Sequence, residues 1–179
     1  MQKRGLSEEK RVEYTNKILI NTKRLSNLTG NILLLSRLEN QETEIKKEIY
    51  SLDEQIREII LLFETQWTEK NLELDIELES INYCGNKELL AHVWQNIIGN
   101  AVKFVPENGI IRISLKNNEN KILFSVSDNG IGMSPEVTQR IYEKFYQGET
   151  NRSTSGNGLG LTLAKRIVDL HSGTISVSS

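Results

Sequence analysis

A stripe of residues near the N-terminus constrains the fold of this chain more than any other feature. Tyr14, Ile18, Asn21, Leu25, Leu28, Ile32 and Leu35 step alternately by four and three. That is the spacing of a coiled-coil or helical-bundle seam with one polar member, Asn21. It predicts a long helix over residues 6–40, with Ser7 as its cap and Glu8 and Glu9 at the positive end of its dipole. A lone helix cannot bury such a stripe, so it needs partner helices or a seat on the chain's own core. The polar run NQETEIKKE at 40–48 ends the pattern and marks a domain boundary, with residues 1–44 on one side and 45–179 on the other.

Beyond the boundary the periodicity changes repeatedly. Ser51 and Glu54 have the spacing of a capping box, and Leu52, Ile56, Ile59, Ile60, Phe63 and Trp67 form the apolar face of a second helix. Leu72, Leu74, Ile76 and Leu78 alternate as a half-buried strand, and Ile81 and Tyr83 predict a short second strand. A third helix covers about Lys87 to Phe104, with Leu89, Leu90, Val93, Ile97, Ile98 and Ala101 inward. Residues 109–116 and 121–127 read as a hairpin joined through Asn117–Asn120. Ser134 and Pro135 open a short helix. A last helix starts near Gly158 and stops at Ser172 and Gly173, and Thr174–Val177 begin a final strand. Together these elements predict an α+β chain: a two-layer α/β sandwich whose mixed, mainly antiparallel sheet is covered by helices, preceded by the long bundle helix.

Composition narrows the function classes. The 179 residues carry 22 basic and 24 acidic side chains, a formal charge of −2, so there is no strong electrostatic case for nucleic acid or an anionic membrane as a partner. No apolar run reaches the length of a membrane-spanning helix, and MQKRGLSEEKR lacks the apolar centre of a signal peptide. Cys84 is the only cysteine, which excludes an intrachain disulfide and a cysteine-based metal cage and fits a reducing compartment. The two histidines, His92 and His171, have no partners at metal-ligand spacing.

Three motifs carry chemistry. Asn96, Asn100 and Lys103 share one face of the third helix, opposite its apolar face. An amide carbonyl suits a hard cation such as Mg²⁺, and an ammonium offers a point charge to phosphate. Asp128-Asn129-Gly130-Ile131-Gly132-Met133 follows a strand, so a carboxylate stands beside a turn tight enough for close backbone approach. Gly156-Asn157-Gly158-Leu159-Gly160-Leu161 opens the last helix, where exposed N–H groups receive phosphates. No Lys-Ser/Thr follows the last glycine, so this is no P-loop, and no βαβ unit frames it as a dinucleotide fingerprint.

In this order the motifs strongly resemble the ATP-binding domain of the sensor histidine kinases of two-component signalling, of the superfamily shared with gyrases, mismatch-repair ATPases and heat-shock chaperones. NIIGNAVKF (96–104) resembles the N box, DNGIGM (128–133) the G1 box, IYEKFYQ (141–147) the F box and GNGLGL (156–161) the G2 box. AKRIVDLHSGTISVSS (164–179) resembles the stretch that closes the domain. RLSNLTGNILLLSRLE (24–39) resembles the second helix of the dimerisation and phosphotransfer bundle, which would occupy residues 1–44 in part.

The resemblance implies a Bergerat-type ATP-binding fold over 45–179, with ATP and Mg²⁺ as cofactors. Asn100 would coordinate Mg²⁺ between the phosphates, with Asn96 supporting it. Lys103 would contact phosphate, and Phe104 would lie near the nucleotide. Asp128 would accept from the adenine amino group in a pocket shaped by Gly130 and Gly132. Gly156, Gly158, Leu159 and Gly160 would form the phosphate-facing end of the ATP lid, residues 148–157 its mobile part, and Lys144 would reach the triphosphate. Phe145 and Tyr146 would pack and steer the lid.

The H box with its phosphoacceptor histidine is absent. His92 reads as a surface or site-edge residue and His171 as structural. The family's first bundle helix and a further closing strand are likewise missing, so the resemblance implies a piece of a longer protein. That parent would be a homodimer through its bundle. It would be anchored in the cell membrane with this part in the cytoplasm. It would pass the ATP γ-phosphoryl to its own histidine and onward to an aspartate of a response regulator. Other readings are an anti-sigma-type serine kinase, a nucleotide-sensing module without transfer, and a dimerisation module. Acid-labile phosphohistidine marks the histidine kinase, acid-stable phosphoserine the serine kinase, and binding without transfer the sensor.

Overall fold

A computed structural model describes residues 7–40, 46–118, 121–148 and 156–179. The first helix, α1 (Glu8–Glu39), begins at Ser7, whose hydroxyl accepts from the Lys10 amide. A short strand β1 (Glu48–Ser51) leads directly into α2 (Leu52–Leu61), followed by α3 (Glu64–Glu69), β2 (Glu73–Leu78) and β3 (Asn82–Gly85). Then come α4 (Lys87–Phe104), β4 (Ile110–Asn118), β5 (Lys121–Asp128), α5 (Pro135–Arg140) and α6 (Gly160–Leu170).

The strands form two sheets. In the larger, β4 lies between β2, parallel to it, and β5, antiparallel to it, with Ile113 opposite both Ile76 and Val126. In the smaller, β1 and β3 pair antiparallel, Tyr50 opposite Tyr83. Ile111, Ile113 and Leu115 turn to one face of β4 and are buried, while Arg112, Ser114 and Lys116 turn to the other. On the apolar face lie α4 and α6, packed on each other through Val93, Ile98, Val102, Leu163 and Ile167, each at most 1% exposed. Each of these branched side chains contributes about 1.5–3 kcal/mol by leaving water. The two-layer α+β reading therefore holds.

The two helices are also tied at one end. Asn86 caps α4 by accepting from the Leu89 amide, and its own N–H donates to Nε2 of His171 at the end of α6, 3.2 Å away. Nδ1 of His171 lies 2.8 Å from the Ile167 carbonyl, so the ring proton sits on Nδ1. The expected structural role of His171 has a concrete form here.

Four local expectations need correction. Leu52 to Trp67 is not one helix: the Leu62 and Phe63 amides bond to Ile59 and Ile60, three residues back, which tightens and ends α2. The turn seats Phe63 against Gly99 of α4, where an added Cβ would stand 3.0 Å from the ring. The Ser51–Glu54 capping box does not form. Ser51 is the last residue of β1 and its hydroxyl donates to Asp53, while the Leu52 amide bonds to the Ile81 carbonyl. Residues 48–51 are an unexpected strand that starts at the last residue of the expected break, and Ile49 faces solvent there, 77% exposed. Thr174–Val177 form no strand, since among the described residues no ladder receives them and Ser176 and Val177 are both exposed. The expected tip of the β4–β5 hairpin at 119–120 and residues 149–155 of the expected lid lie outside the described residues.

The stripe of α1 divides along its length. Leu35 and Leu38 are buried and Leu28 is half-buried, whereas Ile18 and Leu25 are 66% and 63% exposed. The C-terminal end of α1 is held by Arg166 of α6, whose guanidinium donates twice to the Leu38 carbonyl, at 2.8 and 3.1 Å.

Candidate functional site

The outward face of α4 is polar because its neighbours at steps of three and four take the core. Asn96, Asn100 and Lys103 are half-buried, while Val93, Ala101 and Val102 are sealed beneath them. The Asn96 amide donates to the His92 carbonyl one turn back, 2.7 Å away. Its Oδ1 faces the start of α6, so close that a Cβ on Gly160 would collide with it. A side chain at 160 would have to displace the Asn96 amide. His92 itself is half-buried, and burial holds its imidazole below the ordinary pKa against the opposing pull of Glu88.

Lys103 stands at the last turn of α4. Its ammonium lies 4.4 Å from the centre of the Phe104 ring and 3.2 Å from the place of a Cβ on Gly156. Burial lowers its pKa from 10.5, and the nearby Arg24 guanidinium lowers it further. The loop after β5 crosses the same end of the helix: a Cβ on Gly130 would stand 3.0 Å from the Phe104 carbonyl. Asp128 is exposed and uses Oδ1 to accept from the Gly130 amide at 2.9 Å, the local bond that folds an Asx turn. Gly132 has φ +67°, a conformation open to glycine. Asn129 Oδ1 accepts from the Ile110 amide and fastens the loop to β4.

The segment before α6 is clasped from the other side. Gly158 has φ +65°, and a Cβ there would stand 2.6 Å from the Phe145 backbone. Phe145 returns a hydrogen bond from its amide to the Gly158 carbonyl at 2.8 Å. The Gly156 carbonyl accepts from Gln147 and from Arg24 of α1, both at 2.9 Å. Leu159 is 1% exposed, so its side chain belongs to the core and only its backbone faces the site.

The fold thus brings Asn96, Lys103, Phe104, Gly130 and the Gly156–Gly160 segment into mutual reach, with Asn100 on the same helix face and Asp128 at the foot of the adjoining loop. Lys144 stands apart, its ammonium 2.8 Å from the Glu39 carboxylate at the end of α1. Phe145 is 60% exposed. Among the described residues no group of three or more His, Cys, Asp or Glu side chains converges to hold a metal.

Sequence reasoning missed two cations. Lys70, between α3 and β2, donates to the carbonyls of Val102, Lys103 and Val105, each at 2.8 Å. Those carbonyls end α4 and lack helical partners, so one ammonium satisfies three of them and offsets the negative end of the dipole. Arg24 was part of the bundle-helix motif but carried no assigned role. Neither has a local signal: both act across more than thirty positions of sequence.

Known proteins share this sequence pattern and fold. "Heme sensor protein HssS" of Staphylococcus aureus is 38% identical over 165 residues, which cover 92% of this chain and 36% of that protein. The chain therefore spans little more than a third of the curated relatives it matches. ShkA, solved full-length in complex with AMPPNP, superposes with a TM-score of 0.80 at 26% identity, covering 98% of this chain and 37% of that one. Histidine kinase ThkA, solved in complex with the response regulator protein TrrA, gives 0.76 at 25% identity over 97% of this chain and 48% of that one. Residues 85–179, from the β3–α4 junction through α6 to Ser179, match one family model, and the chain belongs to that family, the histidine kinase-, DNA gyrase B- and HSP90-like ATPases.

Proposed function

We propose that this chain is the ATP-binding part of a sensor histidine kinase, with residues 45–179 as the nucleotide domain and 1–44 as part of a dimerising bundle. One observation carries the reading: the amide and ammonium face of α4 meets two glycine-dependent loops, at Gly130 and at Gly156–Gly160, at one end of the sheet. Asp128, with one carboxylate oxygen committed to Gly130, has the other to accept from an adenine amine. Lys103 and the N–H groups opening α6 take phosphate. Mg²⁺, when bound, neutralises phosphate charge. Asn100 would supply one amide oxygen to it, with phosphate oxygens as further ligands.

The work of these residues is to position ATP and neutralise its charge, while a histidine from outside these 179 residues attacks the γ-phosphorus. The bond to the β-phosphate oxygen breaks, a P–N bond forms, and ADP leaves. His171 is unsuited to that role with both ring nitrogens engaged. Onward transfer to a response-regulator aspartate completes the proposal, supported by the similarity to ThkA, a histidine kinase solved in complex with a response regulator protein. The exposed upper stripe of α1 supports a homodimeric bundle. Among the described residues no helix is long and apolar enough to cross a membrane; the membrane anchor is proposed of the parent protein.

Calorimetric titration of the chain with ATP and ADP, with and without Mg²⁺, tests the reading. Binding is expected to depend on Mg²⁺ and to weaken roughly tenfold or more in Asp128→Asn, the loss of a charged hydrogen-bond acceptor. Asn100→Asp is expected to alter the Mg²⁺ dependence. A folded chain that binds neither nucleotide overturns it.

A further inference from the structure

Two cations approach Gly156 from different parts of the molecule. Arg24 comes from α1 and donates from Nη2 to the Gly156 carbonyl at 2.9 Å. Lys103 comes from α4 and stands 3.2 Å from where a Gly156 Cβ would be. No ion pair among the described residues involves either one. Like charges gathered on one residue repel; burial is the main reason the Lys103 pKa is lowered, and the Arg24 charge lowers it further. An arrangement of this kind is relieved by an anion, and the glycine-rich start of α6 beside it is the place where the nucleotide reading puts phosphates.

We infer that Arg24 is a ligand of the terminal phosphate of a bound nucleoside triphosphate, a specificity-determining residue that the bundle helix supplies to the nucleotide domain. The inference rests on the proposed ATP site and assigns a new residue to it. Arg24 now bonds a neutral carbonyl, a weaker partner than a phosphate oxygen, so the exchange on binding is favourable. Because Arg24 and Lys103 sit on separate elements, a triphosphate long enough to meet both joins α1 to α4, and a diphosphate that meets only Lys103 does not. Gln147, which shares the Gly156 carbonyl at 2.9 Å, keeps that acceptor satisfied when Arg24 turns away. The bundle helix would then sense whether the γ-phosphoryl is present.

The test is a calorimetric comparison of ADP and the β,γ-imido analogue of ATP, each with Mg²⁺, on the unaltered chain, Arg24→Gln and Asp128→Asn. Arg24→Gln is expected to weaken the triphosphate about tenfold, the size of one charge-assisted contact, and to leave ADP within about twofold. Asp128→Asn is expected to weaken both alike, since it acts at the base. Equal effects of Arg24→Gln on the two nucleotides, or none on either, would overturn the assignment while leaving the ATP site intact. An unaltered chain that binds ADP and the triphosphate analogue equally also overturns it. Binding of neither nucleotide removes the ATP reading itself and this inference with it.

Discussion

Helices α1 and α4 both carry apolar residues at steps of three and four, yet one hides its stripe and the other displays most of it. In α4, Val93, Ile98 and Val102 are at most 1% exposed beneath α6 and the sheet. In α1, Ile18 and Leu25 remain open and only the last turns, around Leu35 and Leu38, find a seat on the domain. Helical propensity does not separate them; what separates them is whether the rest of the chain supplies a complementary surface. The upper part of α1 is therefore built for contacts that this chain does not make with itself.

A carboxylate placed in each stripe should break the parallel most sharply. Val93→Asp buries a charge in a sealed core and is expected to abolish cooperative thermal unfolding, a cost above about 5 kcal/mol. Ile18→Asp should stay within about 0.5 kcal/mol of the parent. If calorimetry found the two equally harmful, the stripe of α1 would be part of the core after all. Next in size is Lys70→Met, which leaves three carbonyls at the end of α4 without a donor. It should cost about 2 kcal/mol in a urea melt, and Lys70→Arg should recover part of the loss. No loss would mean that water replaces the ammonium.

Asp53 extends the comparison to acid. It is 4% exposed, and burial alone would raise its pKa. The Ser51 hydroxyl and the Ile81 amide outweigh burial and hold the pKa below 3.8. A depressed carboxylate contributes stability that is present above its unfolded value and lost as the pH falls through its folded value. The unaltered chain should therefore lose stability below about pH 4 more steeply than Asp53→Asn; parallel melts between pH 2 and pH 6 would contradict that. The smallest expected effect is on association. Sedimentation at several concentrations should show self-association that Leu25→Asp reduces without altering the thermal midpoint by more than about 2 °C. Association unchanged by Leu25→Asp would place the contact elsewhere.

What the sequence made legible and what it hid divide along the same physical line. The bounds of α4, the β4–β5 hairpin and the Ser7 cap were readable because each is set by residues within a few positions of one another. Asn96, Asn100 and Lys103 could be put on one face for the same reason. Strand β1 was hidden because Ile49 points outward and the pairing partners, Asn82–Gly85, lie some thirty residues away. The break after α2 depends on Phe63 finding Gly99, which periodicity within 52–67 cannot register. Lys70 and Arg24 escaped notice because a surface cation and a cation aimed at a distant carbonyl look alike in one dimension. The position of Lys144 beside Glu39 is the reverse case: a lysine inside a functional motif whose nearest opposite charge belongs to another helix.

The bond between Asn86 and His171 acts as a pin. It joins the first residue of α4's cap to the last of α6, two antiparallel helices whose other shared end holds Asn96 against Gly160. Between these two ends the helices share the sealed side chains of Val93, Ile98, Leu163 and Ile167, so a load applied at either end is carried by both helices together.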